Sequence, residues 1–103
     1  MYTKEQVVKE RRCGLKIFDK AVAKSSRQAV IDKGIGYYKE HPDTWGPGWP
    51  TVDWAIGNAM RDIADNHGPS TFNLDEVLTD DEMKNIALQL NITDLYVGHW
   101  KRK

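Results

Sequence analysis

The chain has 103 residues, of which 40% are hydrophobic and 29% charged, with a formal net charge of +0 and a mean hydropathy of −0.65. This composition predicts one soluble globular domain spanning 1–103, with no apolar run long enough to cross a bilayer. A single cysteine, Cys13, excludes an intrachain disulfide and a multi-cysteine zinc site, so the domain has to stand on packing alone. Glu5, Glu10, Arg11 and Arg12 interrupt the start of the chain, which leaves no hydrophobic secretory signal and makes the cytoplasm the expected compartment.

The neutral total hides a division. Residues 1–40 hold ten Lys/Arg against five acids, a net +5, whereas 41–100 hold two against ten, a net −8. Lys101, Arg102 and Lys103 then restore +3. Such a division either steers a charged partner or is neutralised inside the fold where basic and acidic helices face one another.

In chain order, Thr3-Lys4-Glu5-Gln6 fits a capping box that opens a first helix near Lys4. Val8, Leu15, Phe18 and Val22, widened by Ile17 and Ala21, form its core-facing band, while Lys9, Arg12, Lys16, Lys20 and Lys24 step along another face as a basic stripe. Ser25 followed by Gln28 signals a second cap, where the first helix bends or a second begins. Ala29, Val30, Ile31, Ile35 and the pair Tyr37-Tyr38 follow, with Gly34 and Gly36 weakening the stretch.

Residues 41–50 read His-Pro-Asp-Thr-Trp-Gly-Pro-Gly-Trp-Pro, a stiff loop that excludes regular structure. Trp45 and Trp49 either fold back as a lid on a small core or stand out as anchors for a partner. Thr51 is placed to cap the next helix, in which Trp54, Ile56, Ala59, Met60 and Ile63 carry the apolar pattern and His67-Gly68-Pro69 the stop. Asn73-Leu74-Asp75-Glu76 opens a short helical turn, and Thr79-Asp80-Asp81-Glu82 is a further capping box ahead of Met83, Ile86, Ala87 and Leu90. No stretch alternates as a strand does. The expected fold is all-α, a single compact orthogonal or irregular bundle of four to five helices with the Trp/Pro/Gly-rich loop at 41–50.

Catalytic chemistry finds little footing. His41, His67 and His99 lie apart without metal-ligand spacing, Cys13 reads as a small apolar helix residue, and Asp80, Asp81 and Glu82 suit a helix start. Gly34-x-Gly36 lacks the strand and third glycine of a phosphate loop. The sequence therefore predicts no enzyme, no metal and no cofactor.

The stretch from Met83 to Trp100 resembles the helix-turn-helix motif of DNA-binding proteins, a resemblance that covers the last quarter of the chain. Ala87 matches the small residue at the helix crossing, and Ile86, Leu90, Ile92, Val97 and Trp100 match the apolar wedge. Asn91 stands where the turn needs a left-handed residue. The resemblance implies a recognition helix from Asp94 capped by Thr93, with Thr93, Leu95, Tyr96, His99 and Arg102 toward base edges. Lys101, Lys103 and the first-helix cations Lys9, Arg12, Lys16 and Lys20 would then contact phosphates.

Two functions follow as expectations. The first is a small non-catalytic protein-binding module that docks on a larger protein as an adaptor or inhibitor, of the kind found among phage and mobile-element accessory proteins. Trp45, Trp49, Tyr37 and Tyr38 would be its contacts. The second is a double-stranded-DNA binder or transcriptional regulator using the C-terminal helix as a homodimer.

Overall fold

The structure, a computed structural model, describes residues 15–66 and 73–98. Among these residues the chain is all-α, with five helices built around one core, and no helix is long and apolar enough to cross a membrane. The first-helix cap at Thr3, the residues Val8, Lys9, Arg12 and Cys13, the stop at His67-Gly68-Pro69, and the segment His99 to Lys103 lie outside the described residues.

The described part of helix α1 covers residues 15–24 and follows its predicted stripe, burying Ile17, Phe18 and Ala21 with Leu15 and Val22 at the margin. Lys16, Lys20 and Lys24 face outward. A second helix starts here rather than a bend. Ser26, one residue after the predicted Ser25, caps α2 (Arg27–Glu40) by accepting the Ala29 N–H at 3.0 Å, while the Ser25 N–H closes α1 on the Val22 carbonyl.

Helix α3 (Trp49–Ala64) is the centre of the bundle. Val52, Ala55, Ile56, Ala59 and Met60 are all buried, a band too wide for a single neighbour. It begins two residues earlier than Thr51, with Pro50 in the first turn, where a missing N–H costs nothing. It ends on Asp65, in the left-handed conformation at φ 54°, whose N–H reaches the Arg61 and Asp62 carbonyls. Helix α2 lies close against α3 because Gly34 has no side chain: a Cβ there would stand 2.4 Å from Ile56 Cδ1 and 3.1 Å from Ile56 Cα.

The two helices run antiparallel. Lys24, just before α2, reaches Asp65, just after α3, at 2.7 Å, and the His41 ring at the other end meets Trp54 edge-on at 5.9 Å. Helix α4 (Leu74–Val77) is a single turn, and α5 (Asp80–Leu90) opens on the predicted capping box, in which Thr79 and Glu82 satisfy each other's backbone N–H. Asn91 ends α5 in the left-handed conformation at φ 56°, as its position in the turn predicted.

Arg27 ties these pieces together. Its guanidinium forks onto both Glu82 oxygens at 2.6 and 3.2 Å, donates to the Val77 carbonyl at 2.5 Å, and lies 5.2 Å from the centre of the Phe18 ring. One side chain thus joins the start of α2 to α1, α4 and α5. The basic and acidic parts of the chain pair internally here and at Lys24–Asp65.

Two outcomes test this packing. Gly34→Ala should lower stability by about 1–3 kcal/mol through overpacking against Ile56, whereas Gly36→Ala, with open space around its Cβ, should raise it by about 0.5–1 kcal/mol. Denaturant unfolding of both variants checks this, and equal effects would contradict it. The hydrogen bond from Arg27 holds the Glu82 carboxyl below the usual glutamate value, so the pair stabilises fully above that value and its contribution is lost as pH falls through the lower folded one. Between about pH 6 and pH 3, the wild type should lose more stability than Arg27→Met, a difference readable in urea melts.

Candidate docking surface

Between α2 and α3 the backbone of residues 41–48 is held down by side chains rather than by a helix or sheet. The Thr51 hydroxyl, fully buried, accepts the Trp45 N–H at 3.0 Å and donates to the Gly46 carbonyl at 2.6 Å. Thr51 therefore staples the loop instead of capping α3; the cap position falls to Gly48 at φ 83°, and Gly46 takes φ 95°. The Thr44 hydroxyl donates to the His41 carbonyl at 3.2 Å, which pins the other end of the loop.

The two loop tryptophans separate. Trp49 is only 4% exposed, and its indole N–H donates to the Asp94 carbonyl at 2.7 Å while its ring meets Tyr96 edge-on at 5.4 Å. It is a core residue of α3 and cannot serve as the partner contact the sequence suggested. Trp45 is 66% exposed on the stapled loop.

The predicted contacts Tyr37 and Tyr38 are both half-buried. Tyr37 donates its hydroxyl to the Asp62 carboxylate, which pushes that hydroxyl above its ordinary pKa, and its ring lies between Trp54 and Lys33. Tyr38 packs against the core. Both are engaged within the bundle rather than left as free anchors.

The C-terminal segment departs from the helix-turn-helix expectation. Residues 92–97 form no helix, so Thr93, exposed, caps none, and no recognition helix extends from Asp94 through Val97. The chain instead crosses the start of α3: Ile92 faces Gly48, Asp94 accepts from Trp49, and the Tyr96 hydroxyl accepts the Leu74 N–H at 2.8 Å. These anchors replace the wedge packing that would have stood a helix upright. Tyr96 points inward on α4 rather than toward a base edge, and Val97 is 51% exposed rather than wedged. Lys16 and Lys20 are exposed on α1, whereas Lys9, Arg12, His99, Lys101, Arg102 and Lys103 belong to the undescribed segments.

Sequence reasoning missed the exposure of Leu88, at 79%, and of Val97, read as a wedge residue, whereas Leu95, read as facing outward to base edges, is 88% exposed. A signal for each was present. Leu88 falls off the Met83, Ile86, Ala87, Leu90 stripe, and Leu95-Tyr96-Val97 alternates outward, inward, outward with the period of an extended chain. Together with Trp45 these are the large apolar side chains most exposed among the described residues; Leu88 lies in the last turn of α5, while Leu95 and Val97 follow on the segment that meets the start of α3 where Gly48 faces Ile92 and Trp49 bonds to Asp94. Among the described residues no group of three or more His, Cys, Asp or Glu is arranged to hold a metal ion.

Thr51→Val keeps the volume but removes both hydroxyl bonds. It should cost about 1–3 kcal/mol and release the Trp45 loop to faster amide exchange at Trp45. Unchanged protection at that amide would contradict the staple.

No protein-family model, curated protein or solved structure matches this chain, so the surface is read from its own chemistry.

Proposed function

We propose that the protein is a small non-catalytic binding module that docks on a larger protein, as an adaptor or inhibitor, through the end of the bundle that carries Trp45. On this reading it works in the cytoplasm, as an accessory protein of the phage or mobile-element kind. The observation that supports it is Trp45, a large aromatic ring left 66% exposed on a loop that hydrogen bonds hold in place. Tryptophan in such a setting is the side chain most enriched at binding hot spots, and a preorganised loop spares the ordering cost of association. Leu88, Leu95 and Val97 supply apolar area from the neighbouring segment. Double-stranded DNA is the weaker reading, because the helix it needs between Asp94 and Val97 is absent.

Capture experiments with the immobilised protein in lysate of its own cells test this reading. Trp45→Ala should retain the melting curve of the wild type yet lose its partner by at least about 2 kcal/mol, roughly thirty-fold in affinity. Trp49→Ala should instead destabilise the fold by about 3–5 kcal/mol. A set of captured proteins that is the same for the wild type and Trp45→Ala would contradict the proposal.

A further inference from the structure

We draw no further inference here: the strongest candidate, the exposed apolar surface of Trp45 on the stapled loop before α3 with Leu95 and Val97 on the segment after α5, belongs to the docking surface already described, and nothing in the structure shows what covers it.

Discussion

The contact between Gly34 and Ile56 sets the geometry on which the other contacts build. With no Cβ at position 34, α2 settles on the most buried face of α3, and the antiparallel pair defines two ends to the molecule. Helix α1 packs Phe18 beneath Arg27, α4 offers its Val77 carbonyl to the same guanidinium, and α5 brings Glu82. One side chain therefore ties α1, α4 and α5 to the start of α2, while all five helices contribute residues to the one hydrophobic core.

Charge follows the same axis. The Arg27 fork and the Lys24–Asp65 pair draw together opposite charges that are far apart in sequence, which answers how a chain divided into basic and acidic stretches avoids opposing its own fold. The other end is held by different means. There Thr51 and Trp49 hold two non-helical segments by hydrogen bonds to backbone groups, and the side chains that do not take part in this anchoring face outward. Stability and the proposed recognition are thus separated along the bundle, and a change at Trp45 can reach a partner without reaching the core.

The helices were legible because their signals are local: the stripe of α1, the apolar band of α3 and the Thr79 capping box all depend on residues within a turn or two. What was not legible depended on distant partners. Trp49 and Trp45 stand four residues apart in the same Pro/Gly-rich run, and it is partners distant in sequence, the Asp94 carbonyl and the Tyr96 ring, that hold the buried one. Thr51 has the composition of a cap, yet two loop backbone groups claim its hydroxyl. Helix α5 and the left-handed Asn91 fall where the local spacing puts them, but residues 92–97 form no helix, with Ile92 facing Gly48 and the Tyr96 hydroxyl accepting the Leu74 N–H, contacts that local spacing does not reveal.

The central claim is that Trp45 lies exposed on a loop that hydrogen bonds hold in place. Collisional quenching of tryptophan emission by acrylamide, compared between the wild type and Trp45→Phe, tests it most directly. The account predicts that the readily quenched component of the emission is the one lost in Trp45→Phe. A readily quenched fraction that Trp45→Phe leaves intact would contradict it.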